Sequence, residues 1–582
     1  MNLKIKKTSK FDSNKLINQS DKKKILINVF LYYGLRFFVI IYAIIRLYLI
    51  NVYLGVANLG ILNIMMLFAP LSLFLITTCQ YKSNFILYKY SLKNDYEQVN
   101  RIINEQIKEM RVYALISIFF LGGFMVISYF FVNSPGINHF TSCLLVFSNS
   151  IGTLSYGLVL PYVAWYLNSI YLNYINDFWE ISFATILNII VFIIVPLFGI
   201  HVIQFANTSY EQSATYITLI IAFLLSIRFL FVNIVLNWAK KKYMSWFKKI
   251  HHVKIQLFTK NNLSYIVQEF LATLATSLIP LIFFIFTTFI HLASSISGIY
   301  YSYVNFVLII GLLSWAVSAV KPYLAKFMLN NKQIDIYKLN QILSFMFIYL
   351  GMILLINFII ISPYIMVFVK SYFNFWLAFL IGMSTFFLAI KSIDEAFIYL
   401  DGKPEKYWRL TVYQILAGVI SLTVAFCVIF LNNNFKDNVI NVLYGLIFSQ
   451  MFMQLIKYIF NIIYLNKYVY NCSFKRFIRG YWIIYLFAGI SLIFIICTLI
   501  LSPYINHVVN IFTKNKAIPI YAYDNINNLF VDNIGLINFG DLILSLILVN
   551  GGFIIATILI AKYMNKSFKE KIFNVINVVK LN

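Results

Sequence analysis

The chain has 582 residues, of which 61% are apolar and 11% charged, with a mean hydropathy of +0.82 and a formal charge of +26. A soluble chain of this size would carry roughly 25% charged residues, so a water-soluble globular protein is excluded. What recurs along the chain is an apolar stretch long enough to cross a bilayer. Aromatic residues, at 18%, suit membrane interfaces, although abundant Ile, Lys, Asn, Phe and Tyr follow more simply from AT-rich coding. The five cysteines are scattered without a CxxC pair and indicate neither a disulfide framework nor a zinc site.

Residues 1–24 form a lysine-rich tail, and the apolar stretch after it is too long for a cleaved signal peptide. Apolar runs then fall near 25–50, 59–81, 112–132, 140–163, 180–204, 214–236, 263–290, 298–320, 341–368, 375–400, 410–431, 439–465, 481–504 and 541–562. Each approaches the ~17–25 residues that a helix needs to span the hydrocarbon. The pattern predicts an all-α polytopic membrane protein with about 14 transmembrane helices. The fourth run, blurring into Pro161–Asn176, and the tenth, carrying Lys391, Asp394 and Glu395, are the least regular.

Charge orients the spans. With the N-terminus inside, the inner connections and tails hold 37 of the 46 Lys and Arg, and the outer ones hold only Lys370, Lys436, Lys514 and Lys516. The remaining five, Arg36, Arg46, Arg228, Lys391 and Lys457, fall inside spans. This asymmetry places both termini in the cytoplasm of a cell whose cytoplasmic membrane the chain crosses. It also accounts for the net charge without a nucleic-acid partner, because an anionic leaflet faces the basic segments.

Two short matches recur in order. Asp95-Tyr-Glu-Gln-Val-Asn100-Arg-Ile102 reappears as Asp335-Ile-Tyr-Lys-Leu-Asn340-Gln-Ile342, and Tyr171-Leu172-Asn173 ahead of Trp179 as Tyr399-Leu400-Asp401 ahead of Trp408. Each pair fills the same slot of a six-span block, which predicts two parallel six-helix bundles with a site between them. The expected organisation is a basic cytoplasmic tail (1–24), a first bundle (25–240), a basic cytoplasmic linker (241–262), a second bundle (263–466), an additional helix pair (467–562) and a second basic cytoplasmic tail (563–582).

Arg46 followed by Leu54-Gly55-Val-Ala-Asn-Leu59-Gly60 resembles the R…LGxxxxG junction between the first two spans of polysaccharide flippases. These are the Wzx-like and MurJ-like branch of the multidrug/oligosaccharidyl-lipid/polysaccharide exporter (MOP) superfamily. The basic segments Tyr88–Arg101 and Lys326–Gln341, Tyr300-Tyr301-Ser302 and Asp401-Gly402-Lys403 are similar to further stretches of that family. The likeness covers most of the chain and is diffuse. It implies arginines of the first helix, Arg46 among them, lining a central cavity, charged residues opening span seven, and a last helix pair that forms a lipid-side groove.

Ionisable residues in hydrocarbon are functional candidates by default. Arg36 lies near mid-membrane, where a guanidinium would fork onto a lipid-linked phosphate; pairing with a neighbouring helix is the structural alternative. Arg46, Gln268 and Glu269 complete the expected cavity set, with Glu269 as a proton carrier or as a partner of Lys260 or Arg36. Lys391, Asp394 and Glu395, at i,i+3 and i,i+4 spacing, read as a self-neutralised group or a latch between halves. Arg228 and Lys457 are gate or coupling candidates that a snorkelling reading also fits. Pro70, Pro196, Pro280 and Pro363 mark expected kinks. Trp246-Phe247-Lys248 and the tail around Phe568 and Phe573 read as interfacial segments.

These residues lead to an expected flippase for a lipid-linked saccharide, working by alternating access, with no enzyme activity and no cofactor. No GxxxxGK[ST] phosphate loop is present, which leaves a coupling ion (H+ or Na+), the membrane potential or product consumption as the drive. Envelope-biosynthesis enzymes are expected neighbours. The alternatives are a membrane-embedded polysaccharide polymerase, ligase or glycosyltransferase, whose external site could only be loop 505–540 with His507, Lys514, Lys516, Asp524 and Asp532, and a cation-coupled small-molecule exporter of the same fold.

Overall fold

In a computed structural model of the protein, the described residues are 19–53, 93–131, 161–170, 228–250, 260–273, 293–330, 333–369, 373–401, 439–470 and 546–555, with isolated positions between them. The regular structure among them is helical throughout: α1 (Gln19–Tyr53), α2 (Tyr96–Phe131), α3 (Pro161–Ser169), α4 (Arg228–Tyr243), α5 (Lys260–Thr273), α6 (Ala293–Asn330), α7 (Gln333–Phe368), α8 (Phe375–Leu400) and α9 (Val439–Tyr464). A π-turn, Leu465–Val469, continues α9, and a short apolar helix α10 spans Leu546–Ile555. Among the described residues, six helices are long and apolar enough to cross a membrane, and they match the first, third, eighth, ninth, tenth and twelfth apolar runs. The fifth run, Arg46's side chain, Pro70, Pro196 and the tail with Phe568 and Phe573 lie outside the described residues.

The helices reach beyond the apolar runs. The expected connection 82–111 is helical from Tyr96, and within 321–340 the described residues, 321–330 and 333–340, are helical. Hydropathy marks only the turns that sit in hydrocarbon, whereas polar turns extend a helix through caps and side-chain pairs. At the start of α2, Asn94 takes a positive φ of 56° and the Asp95 carboxylate accepts from the Gln98 N–H at 3.2 Å. Arg101 and Glu105 then pair at 3.1 Å one turn later. Pro322 and Pro363 both lie inside continuous helices.

The tenth run, irregular by pattern, is the well-capped α8. The Asn374 carboxamide accepts from the N–H groups of Trp376 (2.9 Å) and Leu377 (3.2 Å), and is itself held by the Tyr444 hydroxyl at 2.9 Å. Tyr303 accepts from the Asn374 N–H at 2.7 Å. Helix α8 packs against α6, α7 and α9, and two glycines set its approach to α7. A Cβ on Gly351 would meet the Phe386 ring at 2.8 Å, and one on Gly382 would collide with Leu355. In a membrane such small residues let helices close to van der Waals contact. Helix α10 joins α7 through a reciprocal amide pair, Asn357–Asn550, at 3.0 and 2.8 Å.

Helix α1 is amphipathic in an unusual sense, with both faces largely apolar. Asn28, Tyr32, Ile40, Ala43, Leu47 and Asn51 are buried at i+3/i+4 spacing, and α1 packs along α6. Phe30, Phe37 and Phe38 point outward and are more than half exposed, as suits a lipid-facing surface. Two buried asparagines and a third beyond α1 fasten this first part of the chain to the second. Asn28 donates to the Ala319 carbonyl (3.1 Å), Asn51 to the Val369 carbonyl just past α7 (2.8 Å), and Asn63 to Ser297 Oγ (2.9 Å).

The basic segment after α4 is docked on the protein rather than lying free as an interfacial segment. Trp246 is flanked by the rings of Tyr96 and Tyr166, Phe247 stacks on Tyr162, and Lys240 lies over Tyr162 and Phe247. Asn100 and Asn104 on α2 serve its backbone as a neighbouring strand would. The Lys248 N–H donates to Asn100 Oδ1, the Ile250 N–H donates to Asn104 Oδ1, and Asn104 Nδ2 donates to the Lys248 carbonyl, each at 3.0 Å.

Two substitutions test this packing. Gly382→Ala should lower stability by about 1–3 kcal/mol through overpacking. Asn104→Leu should cost a similar ~1–3 kcal/mol by stranding the backbone groups of Lys248 and Ile250. Thermal melting of the detergent-solubilised protein measures both.

Candidate substrate and coupling site

Arg36 occupies the midpoint of the apolar span Ile27–Ile45 and sits on the same stripe of α1 that carries Asn28, Tyr32 and Ile40. Its guanidinium carbon lies 4.9 Å from the centroid of the Trp315 ring on α6 and 5.4 Å from that of Tyr32. Two aromatic faces therefore receive the cation in place of water. The side chain crosses from the first part of the chain to the second rather than snorkelling along its own helix. Arg46 lies in α1 near its far end, and Arg228 opens the described part of α4; their side chains, like that of Gln268 on α5, are outside the described residues.

A second cluster gathers charges from four helices. Lys391 Nζ and Glu395 Oε1 pair at 3.1 Å on α8. Lys321 on α6 interacts electrostatically with Glu395 and with Glu269 on α5. Lys457 on α9 interacts with Lys391, Glu395 and Glu269. Lys457 is 2% exposed and Lys391 5%, so neither snorkels to the surface. Glu269 thus has Lys321 and Lys457 as cationic neighbours. Among the described residues three amines and two carboxylates thus share this neighbourhood, where a bilayer disfavours uncompensated charge. Such a set can hold an anion, or hand a proton between its members as the surroundings open and close.

Asp394 also interacts with its neighbour Glu395, and it carries hydrogen bonds of its own: Asn340 Nδ2 of α7 approaches its Oδ1 at 3.4 Å. The same amide donates to the Tyr470 hydroxyl at 2.7 Å, and Ser344 Oγ donates to Asn340 Oδ1 at 3.1 Å. The expected trio therefore combines an ion pair, Lys391–Glu395, with a carboxylate held in a buried hydrogen-bond network.

That network has a counterpart in the first part of the chain. Asn100 and Asn340, equivalent in the repeated segment, both bind residues just beyond the last helix of their block, Lys248 after α4 and Tyr470 after α9. The offset that relates Tyr171 to Tyr399 also relates Tyr166 to Asp394. Tyr166 touches Trp246, and Asp394 interacts with Tyr470.

Sequence reasoning missed Lys321 and Trp315. Lys321-Pro322 reads as the end of a span, so Lys321 counted among the inner-loop charges, and a tryptophan in an apolar run carries no mark of a cation partner. Asn340 was in view as part of the repeat but not as a ligand of Asp394.

The solved structures similar to this chain are transporters of the MOP superfamily, and they include both drug-export and flippase members. The lipid II flippase MurJ in an inward closed conformation is 17% identical at a TM-score of 0.49, with 92% of this chain and 100% of that chain covered. An inward-facing multidrug resistance MATE family transporter is 11% identical at a TM-score of 0.45 over 73% of this chain and 94% of that one. A MOP superfamily transporter from Pyrococcus furiosus is 10% identical at 0.46 over 78% and 98%. No family model and no curated protein matches the sequence.

The network around Asn340 makes a separable prediction. In a double-mutant cycle, Asn340→Ala and Tyr470→Phe should show a coupling of about 0.5–3 kcal/mol in unfolding free energy, whereas Asn340→Ala and Asn104→Ala should be additive within about 0.5 kcal/mol. Chemical denaturation in detergent reads both cycles.

Proposed function

We propose that the protein is a flippase that moves a lipid-linked saccharide across the cytoplasmic membrane by alternating access. The observation that carries this reading is Arg36, a guanidinium at the midpoint of a membrane span, on the face of α1 that meets α6. A fixed cation at that depth suits a phosphate or diphosphate headgroup, because its planar fork matches the oxygens two at a time. The polyprenyl tail would remain among the lipid-facing helices while the headgroup crosses between two parallel bundles. The matched contacts of Asn100 and Asn340 support that duplicated architecture. Arg46 and Gln268 would line the path with Arg36, and Arg228 would sit toward the cytoplasmic rim. Both termini face the cytoplasm in this reading, because the basic connections lie on their side.

The cluster of Glu269, Lys321, Lys391, Glu395 and Lys457 is assigned to coupling. Its amines and carboxylates interact electrostatically across four helices, and Lys391 and Glu395 are in direct contact at 3.1 Å, which suits a site that answers a bound H+ or Na+. A cation-coupled small-molecule exporter would use the same carboxylates, and the substrate spectrum separates the two. Arg36→Ala in protein inserted at normal level should reduce the appearance of lipid-linked glycan at the outer face by at least about tenfold, as loss of a buried charge-assisted contact implies. Arg36→Lys should keep part of it. Translocation that is unchanged in Arg36→Ala, or export of cationic drugs that persists in it, would overturn the flippase assignment.

A further inference from the structure

Arg36 belongs to one part of the chain and its aromatic bed to another. The guanidinium reaches from α1 across to Trp315 on α6, along a seam where Asn28 also donates to the Ala319 carbonyl at 3.1 Å. Trp315 and Ala319 are one turn apart on α6, as Asn28 and Tyr32 are on α1. The amide bond and the cation–π contact therefore act on the same stretch of the seam. Further along, Asn51 and Asn63 hold the opposite end through Val369 and Ser297. Around Arg36 and Asn28 the two helices are in direct contact.

A phosphate group and an indole face ask different things of an arginine. The indole accepts the flat face of the guanidinium and contributes about 0.5–2 kcal/mol, most when water is excluded. A diphosphate takes the N–H edge, is charged, and brings a bulky headgroup that a closed α1–α6 seam does not admit. We infer that Trp315 is a positioning residue that holds Arg36 on α6 while the seam is closed, so that the seam and an anionic headgroup compete for one arginine. This inference rests on the flippase reading and extends it to regulation of the same site. A headgroup that captures Arg36 removes a contact that only the closed form makes, and by doing so shifts the population toward the open form. When the site is empty the arginine returns to Trp315 and Tyr32, the rings it rests on in the closed form. Recognition and opening are thus a single exchange of partners. The lipid must bind more weakly than it would to an already open site, by the fraction of protein that is open.

The test uses the full chain in lipid nanodiscs with undecaprenyl diphosphate as the probe, reading affinity by native mass spectrometry and seam opening by hydrogen–deuterium exchange of the 313–325 stretch of α6. Wild-type protein should bind the probe and exchange faster in that stretch when it does. Trp315→Leu should exchange faster without probe and bind it about tenfold more tightly. Trp315→Phe, which keeps the packing but offers a weaker π face, should shift both readings in the same direction by about threefold, and serves if the leucine variant does not fold. Faster exchange with unchanged affinity would make Trp315 a mere packing residue and overturn the inference. Weaker binding would make it a direct substrate contact and overturn it equally. In both cases the flippase reading stands. Failure of the wild-type protein to bind the probe at all would instead remove the flippase reading, and the inference with it.

Discussion

Hydrocarbon offers no hydrogen-bond partner, so any polar side chain buried in the membrane must be answered by another part of the same protein. In this chain the answer is usually an asparagine. Asn28, Asn51 and Asn63 fasten the seam between α1 and the second part of the chain. Asn340 gathers Asp394, Tyr470 and Ser344, Asn374 caps α8, and Asn357 pairs with Asn550. A carboxamide donates and accepts without a charge, and interhelical contacts of this kind contribute roughly 0.6–2 kcal/mol each in membranes. A geometry built from many such bonds is specific, yet each bond is weak enough to be exchanged during a transport cycle.

Ionised groups obey the same constraint more severely. Lys391 meets Glu395 within one helix, and Lys321, Lys457 and Glu269 are drawn into the neighbourhood from three others. Burying such charges is costly, and replacing a buried ionic cluster with well-packed apolar side chains is often neutral or stabilising. Its retention suits a site whose charges serve a load or a coupling ion. Arg36 has two aromatic rings against its guanidinium, Tyr32 on its own helix and Trp315 on α6. That contact is reversible by nature, which is the property a substrate-binding cation requires.

Among the described residues, six of the fourteen apolar runs coincide with helices long enough to cross a membrane, because burial in hydrocarbon and apolar composition are the same physical fact. The ends of those spans were less legible. Polar helical turns such as Tyr96–Glu105 are held by a cap and an ion pair, and in sequence these resemble a solvated connection. The tenth span shows the opposite error: Lys391, Asp394 and Glu395 made it look irregular, yet their charges are satisfied by groups more than 50 residues away or by one another. Trp246 and Phe247 appeared to be membrane-interface anchors because aromatic and basic residues alternate there. The rings of Tyr96, Tyr162 and Tyr166 claim them instead.

Composition and charge alone determined that this chain is membrane-embedded, and the spacing of apolar runs located its helices, since both follow from local transfer of residues out of water. The repeat around Asn100 and Asn340 was also readable, as a short match in letters. Only the tertiary structure decided that Asn100 and Asn340 reach segments that follow α4 and α9, that Asp394 is held by Asn340, and that Lys321 lies near Glu395 and Glu269. It likewise decided that Arg36 faces α6 and rests on Trp315. Each of these depends on which helix lies beside which, and a contact between residues 36 and 315 leaves no periodicity in the sequence from which to read it.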